Sequence, residues 1–373
     1  MRNTDRISEK TLAGYCAFSL ELLRRCGEGT QENVLVSPLS VLTALSMLET
    51  GACGDTKKEL AGILPEGYDR LTALINDGSK ENPLRSANAL FAIPALRNEF
   101  NMDYICQLDE KYNAQILTGS GPEAVKTVNC WVKDNTGSMI SEIVQSPDQL
   151  GDFSVINTVY FADKWKEQYL DYEIEESKTA FKNSRGKYEK ATMMYRTESD
   201  YMESGCATGF IKPYRDGRFS FAAFLPKKGY TPEMFLEETT GRELAEMLRN
   251  PADCIVETGM PEYESASELE LVDQLELMGL KCPFDAGKAD FSCIINVPGT
   301  HISNVLHKTR IRVNREGTKA AAVTVCEEVL GLPPLDELKK IKEVILERPF
   351  IYAVIHSETG IPVFLGKINT LSE

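Results

Sequence analysis

The stretch Gly317-Thr318-Lys319-Ala320-Ala321-Ala322-Val323-Thr324 carries the strongest information about the fold of this chain. Three consecutive alanines favour a helix. The β-branched run Val323-Thr324-Val325 comes directly after them, however, and such residues are restricted in a helix. Further on, Leu332-Pro333-Pro334 favours extended backbone, because a residue before proline disfavours the helical region. We therefore predict an extended segment here.

Small side chains line one face of this segment when it is extended. Alternate residues of a strand share a face, and that face consists of Thr318, Ala320, Ala322, Thr324 and Cys326. A strand with a uniformly small face can enter an existing sheet between two strands without clashing. The pattern thus predicts a segment that adds to a sheet of the same chain.

Composition and charge indicate a soluble globular protein with few polyanionic partners. The chain has 373 residues, 42% of them hydrophobic and 26% charged, and a net charge of −15. An acidic chain repels phosphate backbones and anionic lipid, so we expect no nucleic-acid or membrane partner. We also find no basic site of the heparin-binding kind. No apolar run approaches the ~18 residues that a membrane helix needs.

The compartment stays open at this point. Residues 1–6 are polar and no signal-type apolar core follows them. We expect a secreted protein whose signal is absent from this chain, with a cytoplasmic location as the alternative. The absence of N-x-Ser/Thr sites favours a bacterial or cytosolic origin.

The cysteines predict buried thiols better than a disulfide framework. They are scattered, with no CxxC pair and no metal-like spacing. The ten are Cys16, Cys26, Cys53, Cys106, Cys130, Cys206, Cys254, Cys282, Cys293 and Cys326.

Motifs for catalysis are missing, which predicts a binding protein and not an enzyme. The three histidines form no HExxH site, and there is no GxSxG elbow and no GxxxxGK phosphate loop. Gly119-Ser120-Gly121 is interpreted as a turn. We therefore assign no catalytic residue, metal or cofactor.

Helical periodicity dominates the first part of the chain and strand patterns the later part, which predicts an α+β fold with large, mostly antiparallel sheets. Predicted helices cover residues 12–23, the segment opened by Ser37-Pro38, 56–63 and 128–144. Predicted strands cover residues 88–92, 154–162, 219–225 and 351–365.

Eleven motifs in order resemble the serpin family over nearly the whole chain. They are Asn33-Val34-Leu35-Val36-Ser37-Pro38-Leu39-Ser40; Gly51-Ala52 with Gly54, Thr56 and Glu59; Asn88-Ala89-Leu90-Phe91; Val128-Asn129 with Trp131-Val132 and Thr136; Asn157-Thr158-Val159-Tyr160-Phe161 with Lys164-Trp165; Phe219 with Phe221 to Pro226; Ala289-Asp290-Phe291-Ser292; His307-Lys308; Val313-Asn314 with Glu316-Gly317-Thr318 and Ala320-Ala321-Ala322; Arg348-Pro349-Phe350; and Leu365-Gly366-Lys367.

The resemblance implies a single serpin domain over residues 1–373, with a central mostly antiparallel sheet, two further sheets and eight or nine helices. It also implies an exposed reactive centre loop at 315–335 in a metastable, monomeric inhibitor without a cofactor. A serine protease would cleave the loop and be trapped in a covalent complex, while the hinge inserts as a strand. An inserted strand of about 14 residues at ~3.3 Å each spans roughly 45 Å.

The resemblance further assigns roles to residues outside the loop. Ser37, Ser40, Asn157 and His307 resemble the family's polar cluster where the sheet opens, which is equally interpretable as a core network. Trp165, Glu262, Lys308 and Arg315 resemble the region where the loop inserts. The family usually has Glu where Arg315 stands, and Glu262 lies where some members carry a lysine. We therefore expect a charge-swapped pair of Arg315 with Glu262.

The hinge itself comprises Glu316, Gly317, Thr318, Lys319, Ala320, Ala321, Ala322, Val323 and Thr324. Two positions are open for the reactive bond. Residue types favour Leu330-Gly331, whereas the family's usual loop length gives Gly331-Leu332. Leu330 suggests an elastase-like or chymotrypsin-like target.

Two residues are unusual for a hinge that inserts into a sheet, and they leave other functions open. Glu328 would share the small face of an inserted strand, and Lys319 is unusual in a hinge. Separately, the segment 335–347 is several residues longer than the family norm. We expect it to form either an added short helix or a longer connection between strands. The alternatives are a non-inhibitory serpin acting as a binding protein and an inhibitor of cysteine proteases.

Overall fold

The computed structural model describes residues 7–72, 82–318 and 341–371. Within these ranges it contains nine α-helices and sixteen strands. The helices are α1 (Glu9–Cys26), α2 (Pro38–Gly51), α3 (Gly54–Ile63), α4 (Tyr68–Thr72), α5 (Met102–Tyr112), α6 (Gly121–Asn135), α7 (Pro232–Glu238), α8 (Gly241–Arg249) and α9 (Val272–Leu277).

The strands alternate with these helices early and dominate later. They are β1 (Val34–Val36), β2 (Leu84–Ala92), β3 (Gln115–Thr118), β4 (Phe153–Phe161), β5 (Asp163–Lys164), β6 (Ile174–Lys182), β7 (Tyr188–Glu203), β8 (Ala207–Pro213), β9 (Phe219–Pro226), β10 (Ala252–Pro261), β11 (Tyr263–Glu270), β12 (Asn304–Asn314), β13 (Gly317–Thr318), β14 (Ile341–Ile345), β15 (Phe350–His356) and β16 (Ile361–Ile368).

The central sheet has seven strands in the order β3-β2-β4-β12-β13-β5, with β11 paired to the other edge of β12. Its β2–β4 and β11–β12 pairs are antiparallel, whereas β4 and β12 run parallel to each other. Helix α6 covers one face through Ala124, Val128 and Val132, which pack in one cluster with Ile156 and Leu306 of β4 and β12.

A second network joins nine strands in the order β1-β16-β15-β9-β8-β7-β10-β14, with β6 also paired to β7. The long strand β7 joins the two further sheets expected from the resemblance, because Asp200–Glu203 pairs with β8, while Met193–Glu198 together with Asp200 and Tyr201 pairs with β10. The predicted α+β fold with large sheets is thereby confirmed.

Helix α2 is buried along most of its length, so its N-terminus can carry polar groups into the core. Ser37 is its N-cap with extended backbone, and Pro38 occupies the first turn as the sequence predicted. A proline is tolerated there because the first N–H groups of a helix have no intrahelical partner.

The predicted helix over 128–144 is wrong in its second half. Helix α6 ends at Asn135, and positive φ angles at Gly137 and Ser138 turn the chain back. The Asn129 side chain then accepts hydrogen bonds from the backbone N–H groups of Ile143 and Val144, at 2.8 and 3.1 Å. The returning loop buries its apolar residues beneath the helix, which imitates helical spacing in the sequence.

Two other interpretations of the sequence are refined. The 351–365 pattern is a hairpin of β15 and β16, and the described part of the 335–347 extension forms β14, which pairs in parallel with β10. Gly119 to Gly121 links β3 to α6, but β3 runs parallel to β2 and β2 runs antiparallel to β4, so no βαβ unit forms.

The cysteine prediction holds only in part. Among the nine described cysteines, Cys16, Cys206, Cys254 and Cys282 are buried, whereas Cys106, Cys130 and Cys293 are exposed. Exposure here follows from their positions on the outer sides of helices and in a loop. Among the described residues, no helix is both long and apolar enough to span a membrane.

Candidate functional site

The direct pairing of β4 with β12, which we call the seam, defines the candidate site. It extends from Asn304 opposite Ser154 to Arg310 opposite Tyr160. In the middle of this pairing, Asn157 lies opposite His307 on β12 and opposite Asn88 on β2. A row of three buried polar side chains therefore crosses three neighbouring strands of the sheet.

His307 is held as a neutral imidazole. Its Nε2 accepts a hydrogen bond from the backbone N–H of Ser37 at 3.0 Å, so its Nδ1 carries the proton and donates to Oδ1 of Asn157 at 2.7 Å. The side chain is fully buried, and desolvation lowers the pKa of His307 to about 3. One tautomer thus serves both partners.

Asn157 and the two serines complete the network. The Nδ2 of Asn157 donates to Oδ1 of Asn88 at 2.6 Å and to the backbone oxygen of Ser40 at 3.2 Å. The hydroxyl of Ser37 donates to the backbone oxygen of Val363 at 2.7 Å. The structure thus brings together Ser37, Ser40, Asn157 and His307, which we call the sheet-opening cluster.

Asn88 belongs to this cluster, although no role was predicted for it. It is 2% exposed and its amide oxygen accepts the shortest hydrogen bond of the network. A signal was present in the sequence, since Asn88 is an isolated polar residue at the start of the apolar run Ala89-Leu90-Phe91-Ala92. Buried polar groups of this kind require a partner.

The hydrogen bond between His307 and Asn157 crosses the seam, so separating β4 from β12 breaks it. Both groups are buried, and leaving a buried polar group without a partner costs roughly 1–3 kcal/mol. The arrangement therefore favours a closed seam unless a new partner enters between the strands.

At one end of the seam the chain leaves β12 and reverses direction. Asn314 accepts hydrogen bonds at its Oδ1 from the backbone N–H groups of Glu316 and Gly317, at 3.0 and 3.2 Å. Strand β13 then pairs antiparallel with the end of β12 and with β5, so that Thr318 lies opposite both Val313 and Asp163. The chain enters the space between the extensions of β4 and β12.

Gly317 is required at this reversal. Its φ is +149°, and a Cβ built there would lie 2.3 Å from the backbone oxygen of Asp163 and 2.5 Å from the Cα of Lys164. Because both of these are backbone atoms, a side chain could be accommodated only by moving β5.

Trp165 anchors the reversal from below. Its Nε1 donates to the backbone oxygen of Asn314 at 2.8 Å, and its backbone N–H donates to that of Glu316 at 3.0 Å. The ring of Trp165 stacks on Tyr214 with centroids 4.7 Å apart. The Tyr214 hydroxyl in turn lies 2.7 Å from the hydroxyl oxygen of the fully buried Thr318.

A buried ion pair beneath Trp165 was missed by the sequence reasoning. The Nζ of Lys212 lies 2.6 Å from Oε1 of Glu198, and it also lies 5.5 Å from the ring centroid of Trp165 and 4.6 Å from that of Tyr169. Burial lowers the pKa of Lys212 and raises that of Glu198, and in each case the partner's charge opposes the shift.

The signal for this pair is a lone charge on an apolar strand face. Lys212 alternates with Phe210 and Tyr214, both of which are fully buried. A lysine in such a position needs an anionic partner, but Glu198 lies on the neighbouring strand β7 and cannot be identified without the register.

Arg315 lies between two carboxylates. Its Nε is 3.7 Å from Oε1 of Glu262, its backbone N–H donates to the same oxygen at 3.1 Å, and its guanidinium lies 3.1 Å from Oδ1 of Asp171. Arg315 and Glu262 therefore lie close together, as expected. Asp171 is a second acidic partner of Arg315 that the sequence did not predict. What the pair contributes to loop insertion stays a prediction.

Lys308 lies apart from these residues. It is in the middle of β12, opposite Glu268 of β11, with which it forms an ion pair. It lies six positions before Asn314, which is about 20 Å along a strand. The structure thus brings Trp165, Glu262 and Arg315 together, but it places Lys308 next to the sheet-opening cluster.

The remaining predicted positions lie outside the described residues. They are Lys319, Ala320, Ala321, Ala322, Val323 and Thr324 of the hinge, and Leu330, Gly331 and Leu332 at the reactive bond.

Comparison with known proteins gives one consistent result. The family model described as serpin (serine protease inhibitor) matches residues 13–371. The leukocyte elastase inhibitor of Bos taurus is 28% identical, covering 97% of this chain and all of the relative. Glia-derived nexin of Mus musculus is also 28% identical, over 91% of this chain and 87% of the relative.

A solved structure of a serpin is also similar to this chain over nearly its whole length. The native state of tengpin, a thermophilic serpin, superposes with a TM-score of 0.88 at 30% identity, and the match covers 98% of this chain and 95% of the other.

Proposed function

The chain belongs to the serpin family, and from that premise we propose that it inhibits serine proteases as a suicide substrate. The protease's serine attacks the carbonyl carbon of the bait residue, forming an acyl-enzyme and releasing the new amino terminus. The freed hinge then inserts between β4 and β12 before the acyl bond is hydrolysed. The partner is thus a target protease held in a covalent complex, with one inhibitor monomer and no cofactor.

The direction of β13 is the observation that carries this proposal. β13 runs antiparallel to β12, and β12 runs parallel to β4. A strand that continues from Thr318 down the seam would therefore be antiparallel to both neighbours. Insertion would replace one parallel pairing with two antiparallel ones, which are slightly more stable per residue.

The register of β13 also supports insertion of the hinge between β4 and β12. Thr318 lies opposite Val313 and Asp163, so the same register would bring Thr324 between His307 and Asn157. Its hydroxyl can both donate and accept. It is thus suited to replace the hydrogen bond that separation of the seam breaks.

Alternate hinge residues would face opposite sides of the sheet. The register would bring Ala322 between Val159 and Thr309, which are buried, and Ala321 between Tyr160 and Arg310, which face outward. The small face that includes Ala322 is therefore the face that would contact the core, which explains why its members from Thr318 to Cys326 are all small.

The length of the inserted strand and the hydrogen bonds that it would form both favour trapping of the bound protease. About twelve residues separate Thr318 from Leu330, so a bound protease would move roughly 40 Å along the sheet. Each new ladder hydrogen bond contributes about 1 kcal/mol net, and a dozen would make insertion irreversible in practice. The native state therefore persists for kinetic reasons.

We propose Leu330-Gly331 as the reactive bond, with Gly331-Leu332 as the alternative. A leucine fills an apolar specificity pocket, so the expected targets are elastase-like or chymotrypsin-like. The similarity to the bovine leukocyte elastase inhibitor supports this choice.

The decisive experiment is incubation with elastase, chymotrypsin, trypsin and a papain-type cysteine protease, followed by a denaturing gel. A stable complex with elastase or chymotrypsin is expected, and mass spectrometry of the released peptide identifies the bond. A complex with the cysteine protease alone would redirect the target class. Cleavage without any complex across the panel would refute inhibition and favour a binding protein.

Two neighbouring alanines provide a matched test of insertion. Ala322→Arg would put a charge against the buried side chains and is expected to convert the inhibitor into a substrate that is cleaved without a complex. Ala321→Arg faces outward in the same register and is expected to retain complex formation. Equal behaviour of the two variants would contradict the proposed register.

A further inference from the structure

Two cysteines that are distant in sequence meet at the end of the central sheet opposite the insertion point. The Sγ atoms of Cys53 and Cys293 lie 2.7 Å apart. Cys53 is the N-cap of α3, and Cys293 precedes the segment that leads into β12. Cys293 is exposed and Cys53 is half-buried, so reagents in solution can reach the pair.

Hydrogen bonds hold the two segments together independently of the sulfur atoms. The backbone N–H of Cys53 donates to the backbone oxygen of Asp290 at 2.9 Å. The backbone N–H of Asp290 donates to Oγ1 of Thr56 at 2.9 Å. The close approach of the thiols is thus a property of the fold at this place.

Packing on the other side of the cysteines restrains them further. A Cβ added at Gly51 would lie 2.2 Å from the side chain of Ile294, so the end of α2 lies directly on the cysteine segment. The ring of Phe291 contacts that of Phe153, at the start of β4, with centroids 6.3 Å apart. Movement of either cysteine would disturb these buried contacts.

We propose that Cys53 and Cys293 form a reversible disulfide by exchange with a low-molecular-weight disulfide such as oxidised glutathione. The thiolate of exposed Cys293 attacks one sulfur of the reagent, forms a mixed disulfide and releases one reduced thiol. The thiolate of Cys53 then attacks the Cys293 sulfur and releases the second. Two protein thiols are oxidised and one reagent disulfide is reduced to two thiols, which take up the two protons.

The bond closes a long loop of chain, from the start of α3 to the segment before β12. Such a cross-link restricts the unfolded chain far more than the folded one, in which the sulfur atoms are already adjacent. We therefore expect the oxidised protein to unfold at a temperature several degrees higher than the reduced protein.

Peptide mapping tests the bond directly. The protein is incubated with oxidised glutathione at pH 8, because the Cys53 thiol raises the pKa of Cys293, then alkylated and digested without reduction. We expect a peptide pair linked through Cys53 and Cys293 that separates on reduction. Recovery of both cysteines as alkylated or singly glutathionylated peptides would overturn the proposal.

Variants test the consequence for stability. Cys53→Ser and Cys293→Ser are expected to lose the rise in unfolding temperature on oxidation, while retaining the unfolding temperature of the reduced wild type. Cys106→Ser, which removes an exposed thiol of α5, is expected to keep the rise. A linked peptide with no rise, or a rise that persists in Cys293→Ser, would refute the stabilising role.

Discussion

The Nδ1 of His307 donates a hydrogen bond to Oδ1 of Asn157 at 2.7 Å across the seam between β4 and β12. Both side chains are buried, so this bond is a local measure of whether the seam is closed. The N-terminus of α2 fixes the other ring nitrogen, which connects the seam to the helix beneath it.

His307 is expected to make the native state less stable in acid. Unfolded histidine has a pKa of about 6.5, whereas burial lowers the pKa of His307 to about 3. Between these values the unfolded chain binds a proton that the folded chain does not. The part of the free energy of unfolding that depends on neutral His307 is therefore fully present above pH ~6.5. It decreases by about 1.4 kcal/mol per pH unit as the pH falls from there toward the folded pKa.

The measurement is the urea midpoint of the native state at pH 7 and at pH 4.5. His307→Gln removes the titrating group and is expected to reduce the difference between the two midpoints. His301→Gln, in the loop before β12, is the control and is expected to leave the difference unchanged. The same pH dependence in His307→Gln as in wild type would refute the assignment.

The grouping of Ser37, Ser40, Asn157 and His307 was predicted from motifs that resemble the serpin family, and the structure brings the four residues together. Ser37 and Ser40 belong to the motif that opens α2, and Asn157 and His307 belong to motifs on β4 and β12. Asn88 was missed because its role depends on lying opposite Asn157, and strand register is not visible in a single sequence.

The region around Trp165 was predicted less completely for the same physical reason. Comparison with the family's motifs identified Trp165 and Arg315, but Asp171 and Glu198 contact them or their neighbours only through chain reversals and strand pairing. The resemblance grouped Lys308 with this region, whereas β12 carries it about 20 Å away from the reversal.

Gly317→Ala is expected to destabilise the insertion point. The new Cβ would meet backbone atoms of β5, the nearest at 2.3 Å, and a φ of +149° is unfavourable for alanine. We expect a loss of roughly 1–3 kcal/mol, seen as a lower unfolding temperature. Gly62→Ala in α3 meets no atom within 4 Å and is expected to be neutral or slightly stabilising. A Gly317→Ala variant as stable as wild type would contradict this account.

Arg315→Glu tests the charge-swapped contact. The substitution would bring three carboxylates together at Arg315, Glu262 and Asp171. Because these groups are partly exposed, we expect a loss of only about 0.5–1 kcal/mol in stability, measured by urea unfolding. The double variant Arg315→Glu with Glu262→Arg is expected to recover most of it.

The control for this contact is another surface ion pair. The guanidinium of Arg185 lies 2.8 Å from Glu32 and both side chains are exposed. Arg185→Glu is expected to change stability by a similar small amount. It is expected to leave the stoichiometry of inhibition unchanged, which is the number of inhibitor molecules consumed for each protease molecule inhibited. If Arg315→Glu changes neither stability nor that number, the contact with Glu262 has no role.

Lys212→Met is expected to be the most destabilising of these substitutions. It leaves the carboxylate of Glu198 largely buried without its cation, and breaking a buried pair costs roughly 3–5 kcal/mol. Adding Glu198→Gln is expected to restore much of the stability, because the uncompensated charge is removed. Urea unfolding of the two single variants and the double variant measures this coupling.

Fluorescence separates a local role of Lys212 from a general one. In a Trp131→Phe background Trp165 is the only tryptophan, and the Nζ of Lys212 lies 5.5 Å from its ring centroid. Lys212→Met is expected to shift the native emission. Lys367→Met removes another buried lysine, which pairs with Glu233 at 2.8 Å and lies against Gly27 and Thr30. The Lys367→Met variant is expected to be less stable but to leave the emission wavelength of Trp165 unchanged. If both variants shift the emission equally, the effect of Lys212 on the surroundings of Trp165 is not specific.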